Sequence, residues 1–236
     1  MTNRLDSILK EEGFELSEDI LKELEIYKDT LQEWNEFMDL TNIIEDEDVY
    51  YKHFLDSLLI MKYFDFEDGK NVIDVGTGAG FPGLPLKIAK KDLNVTLMDS
   101  LNKRIKFLNE VIDRDKLTNI EAIHGRAEEM SRTKEYREKY DYAVSRAVAR
   151  LNTLVEYTLP FVSVGGYFIS MKGPQPQEEV EEAKNAIKKL GGELVDVIEY
   201  ELSDTDNHRS IIIIKKVKET DKKYPRGGGK PRKKPL

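Results

Sequence analysis

The stretch Val72-Ile-Asp-Val-Gly-Thr-Gly-Ala-Gly-Phe-Pro-Gly83 constrains this chain more than any other. A run with strand character ends at Val75, glycines follow at 76, 78 and 80, and Pro82 suits the first turn of a helix. Glycine permits positive φ and lets a ligand come close to the backbone. The free N–H groups of the helix terminus that follows then face that ligand. A strand, a glycine loop and a helix in this order belong at the carboxyl edge of a parallel α/β sheet.

The rest of the chain supplies the sheet. Short apolar runs at 95–98, 120–123, 142–144 and 167–171 are separated by helical or loop segments at 84–90, 101–113, 127–139 and 151–161. That alternation predicts parallel strands joined by right-handed crossovers. A helix over 177–190 is followed by Gly191-Gly192 and two strands, 194–200 and 210–216, with no helix between them. The last two therefore form an antiparallel pair, giving seven strands with one reversed. That count and ending match the doubly wound, Rossmann-like sheet of class I methyltransferases better than a plain dinucleotide-binding sheet. Ahead of it, 3–12 reads as a helix stopped by Gly13. Ser17 caps a second helix whose apolar face is Ile20, Leu24, Tyr27, Leu31, Trp34 and Met38. A third helical stretch covers about 49–64. The expected organisation is a helical cap at 1–70, a methyltransferase domain at 71–216, and a basic, flexible tail at 217–236.

Composition removes several chemistries. The chain has no cysteine, so disulfides, thiolate metal sites and cysteine nucleophiles are excluded. Its histidines show no metal-ligand spacing, and no metal is expected. No apolar run is long enough for a membrane span, and the first ten residues offer no signal-peptide core. A soluble cytoplasmic protein with no obligate protein partner is the expectation. The formal net charge of −8 is unevenly spread: about −13 over 1–70, −3 over 71–214, and +8 over 215–236. Such asymmetry hints at a polyanionic partner. The tail is expected to serve that partner alone and to leave cofactor affinity untouched.

Which ligand the glycine loop holds depends on register. Gly78-Ala-Gly80-Phe-Pro-Gly83 matches the dinucleotide pattern G-x-G-x-x-G, but the glycine that follows the strand is Gly76, and with Gly76 as the first position the sixth is Phe81 rather than glycine. Asp74, two residues before Gly76, suits a ligand with a charged amino group, such as the methionine part of S-adenosylmethionine. Asp99, ending the second strand, suits a ribose diol, in nicotinamide and adenosylmethionine proteins alike. Glu128 follows the third strand, where methyltransferases read adenine. These carboxylates also suit turns and caps, so each alone is weak; together they converge on one crevice. Arg146 ends the fourth strand, within reach of ligand or substrate. The loop there, Val144-Ser-Arg-Ala-Val148, lacks the motif of enzymes that methylate exocyclic amines.

The combination of Asp74-Val-Gly-Thr-Gly-Ala-Gly-Phe-Pro-Gly83, Asp99-Ser-Leu-Asn-Lys-Arg104, Arg126-Ala-Glu128 and Ser145-Arg-Ala-Val148 resembles the bacterial guanine-N7 methyltransferases of small-subunit ribosomal RNA, once called glucose-inhibited division protein B. The resemblance extends to Leu40-Thr-Asn-Ile43, His53-Phe-Leu-Asp-Ser-Leu58, Met171-Lys-Gly173 and the Tyr224-Pro-Arg226 tail, which departs from relatives at 227–230. It implies an S-adenosyl-L-methionine site using Gly76, Phe81, Ala127, Glu128 and Arg146, with Gly78 and Asp99 nearby. It implies methylation of N7 of one guanine in 16S rRNA, on naked RNA or a small-subunit precursor, with Arg146 orienting cofactor and base. Guanine N7 has a lone pair and no proton, so no general base is expected. Lys172, Arg209, Arg226, Lys230, Arg232, Lys233 and Lys234 are the candidate RNA contacts. His53, Asp56 and Ser57 read as helix packing that links cap to sheet rather than as a triad. The rival readings are a small-molecule methyltransferase, an NAD-dependent oxidoreductase and a non-catalytic RNA-binding scaffold.

Overall fold

A computed structural model of the chain describes residues 4–202 and 207–236. Seven strands form one sheet: β1 (Asn71–Val75), β2 (Asn94–Asp99), β3 (Ile120–His124), β4 (Tyr140–Arg146), β5 (Val162–Lys172), β6 (Gly192–Leu202) and β7 (Asn207–Lys216). Their order is β3-β2-β1-β4-β5-β7-β6. β1 to β5 run parallel, and β7 lies antiparallel to both β5 and β6. The seven-stranded sheet with one reversed strand is therefore present as the strand–helix pattern predicts.

The pleat divides the core in two. Val72 of β1 joins an apolar cluster on one face, and Ile73 and Val75 join a second cluster on the other. The first cluster contains α6 (Gly83–Ala89), α7 (Asn102–Arg114) and the whole N-terminal cap. The cap consists of α1 (Arg4–Glu11), α2 (Glu18–Met38), and a broken helix formed by α3 (Asp46–Val49), a π-helical turn (Tyr50–Leu55), α4 (Asp56–Leu58) and α5 (Ile60–Tyr63). Ser17 caps α2 as expected, accepting from the Ile20 N–H. Leu24, Tyr27, Leu31 and Phe54 are fully buried against Leu84 and Leu108, so cap and sheet share one core. The second cluster contains α9 (Leu151–Thr158) and α10 (Gln177–Lys189). Of the stretch expected between the third and fourth strands, only α8 (Ala127–Met130) is helical.

The basic tail is not the free segment its composition suggests. Thr220, Tyr224 and Pro231 are buried, and a short helix, α11 (Lys230–Lys233), packs on α9. Individual polar contacts explain the order. Arg226 grips the fully buried Glu156 through Nε at 2.9 Å and Nη2 at 2.6 Å. Arg137 donates to the carbonyls of Thr220 and Tyr224 at 2.7 and 3.0 Å. Thr153 donates to the Pro231 carbonyl at 3.2 Å.

Candidate functional site

β1 and β4 are neighbours, but the chain leaves β1 toward α6 on one face and leaves β4 toward α9 on the other. That divergence opens a crevice at their carboxyl ends. Two cavities occupy it. The smaller, about 420 Å³, is lined by Gly76, Asp99, Ala127, Glu128, Tyr157 and residues of α11. The larger, about 780 Å³, lies between the π-helical turn and the ends of β4 and β5, and is lined by His53, Asp56, Arg146, Met171, Lys172 and Arg209. Val148 lines both.

The glycine loop is gripped from two sides. Gly76 has φ +75°, and a Cβ there would lie 2.6 Å from Val148 Cγ2. Gly80 has φ +105°, and a Cβ would lie 2.6 Å from the Tyr27 hydroxyl. That hydroxyl donates to the Ala79 carbonyl, so α2 of the cap holds the loop directly. Gly78 donates its N–H to Asp99 Oδ2 at 2.9 Å.

Asp99 Oδ2 also accepts from Arg104 at 3.0 Å, and Oδ1 accepts from the Leu101 N–H at 2.9 Å. A carboxylate offers about four acceptor positions, so Oδ1 keeps one for a hydroxyl in the smaller cavity. Ala127 and Glu128, in the first turn of α8, line the same cavity as Asp99.

Two of the expected cofactor residues, Asp74 and Phe81, lie outside both cavities, and a third, Arg146, is already engaged. Asp74 is the penultimate residue of β1, and its carboxylate lies under the loop. There it is fully buried and accepts from the Thr77 hydroxyl and the Gly83 N–H, both at 2.8 Å. Burial pushes its pKa up to about 7. Asp74 lines neither cavity; it braces the loop instead of facing an amino group. Phe81 is also withdrawn from both cavities. Its ring stacks on His53 at 4.2 Å and on Tyr27 at 5.3 Å, joining cap to loop. Arg146 does reach the larger cavity, but its guanidinium is already bound. It donates to Asp56 Oδ2 at 2.7 Å, to the Lys52 carbonyl at 3.0 Å and to His53 Nδ1 at 3.0 Å, and it lies 5.0 Å from the Phe81 ring.

His53 and Asp56, three residues apart, thus fasten the cap to the end of β4. This is the linking role expected of them, while Ser57 is buried with no partner for its hydroxyl. Burial first, then the Arg146 charge, pushes the His53 pKa down to about 3. With Nδ1 accepting from Arg146, the proton is assigned to Nε2, which lies 3.1 Å from Thr41 Oγ1. Asp56 is 2% exposed and also pairs with Arg209 Nε at 3.3 Å and with the Tyr200 hydroxyl at 3.4 Å.

The expected RNA contacts divide accordingly. Lys172 lines the larger cavity while paired with Glu179 at 2.8 Å, and Arg226 is paired with Glu156. Arg209 is partly occupied by Asp56. Lys230, Arg232, Lys233 and Lys234 are exposed, and Arg232 and Lys233 also line the smaller cavity. Sequence reasoning did not find Tyr157, nor the tail, as parts of that wall. Val148 stood in a motif, with nothing to show that it divides two cavities.

Comparison with known proteins gives a consistent result. Residues 20–210 match the family described as GidB, rRNA small subunit methyltransferase G. The chain is 57% identical to a ribosomal RNA small subunit methyltransferase G of Lachnoclostridium phytofermentans, covering 97% of this chain and 94% of the relative. A protein of the same name from Alkaliphilus oremlandii is 55% identical, covering 98% and 99%. Among solved structures, the fold resembles TYW2 of M. jannaschii, crystallised with AdoMet, at a TM-score of 0.52 and 18% identity, covering 67% of this chain and 74% of that one. TrmN from Thermus thermophilus matches at a TM-score of 0.52 and 15% identity, covering 71% and 53%.

Proposed function

The chain belongs to the GidB family of small-subunit rRNA methyltransferases, and from that premise we propose that it transfers a methyl group from S-adenosyl-L-methionine to N7 of a single guanine of 16S rRNA. The observation that carries this reading is the pair of cavities meeting at Val148. A cofactor-sized space at the glycine loop opens beside a larger space lined by cap and sheet. At about 420 Å³ the smaller one falls within the roughly 300–1,000 Å³ usual for small-molecule sites.

The residues present fit the cofactor. Asp99 has an acceptor left for a ribose hydroxyl, Ala127 and Glu128 stand where adenine would lie, and Gly76 keeps the loop backbone free of a side chain. When bound, the cofactor supplies a methyl group activated by a sulfonium. The chain's own contribution is orientation, which can supply several kcal/mol by holding reactants in line. Guanine N7 needs no base, and His53, which lines the larger cavity, is neutral, buried and engaged through both nitrogens. Arg146, pinned by Asp56 and His53, sets the position of the cap wall of the larger cavity. An unpaired, accessible guanine is the form a protein can read by its edges and stack in such a space. Among the described residues no helix is long and apolar enough to cross a membrane.

The test is incubation with labelled S-adenosylmethionine and small ribosomal subunits, naked 16S rRNA, or no RNA, followed by nucleoside analysis. Label in 7-methylguanosine from one RNA position is expected. Label transferred only to small molecules would establish the rival methyltransferase reading, and cofactor binding with no transfer would establish a scaffold.

A further inference from the structure

The smaller cavity has three walls of the kind its fold provides and a fourth that the fold does not require. The ends of β1 and β2 supply Val75, Gly76, Met98 and Asp99, and the turn into α8 supplies 125–128. The remaining side, between α8 and α9, is closed by Gly229, Arg232 and Lys233. These residues are held there. Gly229, at φ +68°, starts α11, and Pro231 is buried with its carbonyl accepting from Thr153 on α9. Arg226 fixes the approach to this segment: its backbone N–H donates to Glu156 at 2.7 Å, in addition to the two side-chain contacts. Arg132 donates to the carbonyls of Lys223 and Pro225 from the α8 side. Two neighbouring elements therefore hold the segment across the mouth of the cavity.

We infer that residues 227–236 are part of the cofactor-binding site, closing the adenosine end of the crevice as its fourth wall. This rests on the cofactor reading above and replaces the expectation that the tail serves RNA alone. The chemistry suits a neutral nucleoside. Tyr157 offers an aromatic ring on the same side. The Arg232 and Lys233 stems can cover an apolar face while their charged ends stay in water. Removing the segment opens the crevice to solvent between α8 and α9, and ligand affinity depends on how fully the ligand is enclosed.

The experiment compares the full chain with a version ending at Arg226, which keeps the Glu156 anchor, and with the Arg232→Ala/Lys233→Ala pair. S-adenosylhomocysteine binding is measured by calorimetric titration. Shortening is expected to weaken binding by about tenfold or more, or about 1.4 kcal/mol, at a temperature where the ligand-free shortened chain is still folded. In the full chain, bound S-adenosylhomocysteine is expected to slow tryptic cleavage after Arg232 and Lys233. Equal affinity of full and shortened chains overturns the inference, whatever happens to RNA binding. If the shortened chain melts early, the protection assay decides, and cleavage at the same rate with and without S-adenosylhomocysteine overturns it. Failure of the full chain to bind S-adenosylhomocysteine at all refutes the cofactor reading itself, and the wall's role with it.

Discussion

Replacing Arg146 by alanine removes one partner from a nearly dry ion pair. Asp56 is 2% exposed, the Arg146 side chain is 15% exposed, and their atoms are 2.7 Å apart. Breaking such a pair by deleting one member costs about 3–5 kcal/mol, because the other charge stays buried. Here Arg209 and the Tyr200 hydroxyl remain near Asp56 at 3.3 and 3.4 Å, long contacts that compensate in part. The expected loss is therefore at the lower end, about 3 kcal/mol. Arg146→Lys should recover only part of it. A single ammonium cannot reproduce a planar fork that meets Asp56, the Lys52 carbonyl and His53 Nδ1 together. Combining Arg146→Ala with Asp56→Asn should cost less than the two single changes summed, since the stranded charge is gone. Urea unfolding at pH 7, with m-values checked for constancy, measures the wild type and the four variants. A loss below about 1 kcal/mol for Arg146→Ala at unchanged m would place the pair among weak surface bridges and refute the fastening role.

The other predictions concern neighbouring parts. The His53 ring should stay neutral from pH 8 down to about 5, because its folded pKa of about 3 lies below the ordinary 6.5; its contribution to stability is lost as pH falls below 6.5, and an NMR titration midpoint above 5 would contradict this. Asp74 has the opposite sign. Its pKa is raised from 3.8 to about 7, so the protonated form is the stable one and stability is lost as pH rises through that window. Asp74→Asn should therefore gain on the wild type with rising pH, by up to about 1.4 kcal/mol per unit between pH 4 and 7, and a flat difference would count against it. Gly80→Ala should destabilise by about 2 kcal/mol or more, from its positive φ and the Tyr27 hydroxyl 2.6 Å from the new Cβ. Adding Tyr27→Phe should return part of that loss in thermal melts. RNA affinity should fall with salt on a log–log slope of about −3, if the four exposed tail cations each meet a phosphate of a single strand. Removing 227–236 should flatten that slope in filter-binding assays.

The sheet is legible in the sequence because its strands are short apolar runs bounded by glycine and polar turns, and because two strands with no helix between them have to lie antiparallel. The glycine loop is legible for a similar local reason. The carboxylates are legible in position but not in depth. Asp74 pairs with Leu97 and so faces the same side of the sheet as Asp99, but Asp99 stands two positions nearer the carboxyl edge and lines the cavity, while the glycine loop and Gly83 cover Asp74. Spacing alone does not give the register between strands, so it does not say which carboxylate reaches the edge. The Arg146–Asp56 pair lies beyond local reading, since 90 residues separate its members. His53 and Asp56 look like helix packing from sequence, and helix packing is what they do, through a partner that the sequence does not name.

The tail shows why composition misleads at this scale. A segment rich in lysine, arginine, proline and glycine has too little apolar surface to fold by burial, so it reads as flexible. Its order comes from a few apolar anchors, Tyr224, Pro231 and Leu236, together with single polar contacts, each of which needs a matching group elsewhere in the fold. Lys216, completely buried, donates to the Leu159 carbonyl at 2.6 Å and pairs with Glu138 at 3.1 Å. Arg226 meets Glu156, and the Thr220 and Tyr224 carbonyls meet Arg137. These contacts take some of the +8 out of solution and fix the rest in place. Arg232 and Lys233 line the small cavity and Lys230 and Lys234 are exposed on the same segment, while much of the chain's acidity lies on the cap. Screening limits such charges to a reach of about 10 Å at 0.1 M salt, so overall net charge says little about where a phosphate backbone settles. An acidic protein can hold RNA if its cations are fixed beside the site, and here the segment that carries them also forms a wall of that site.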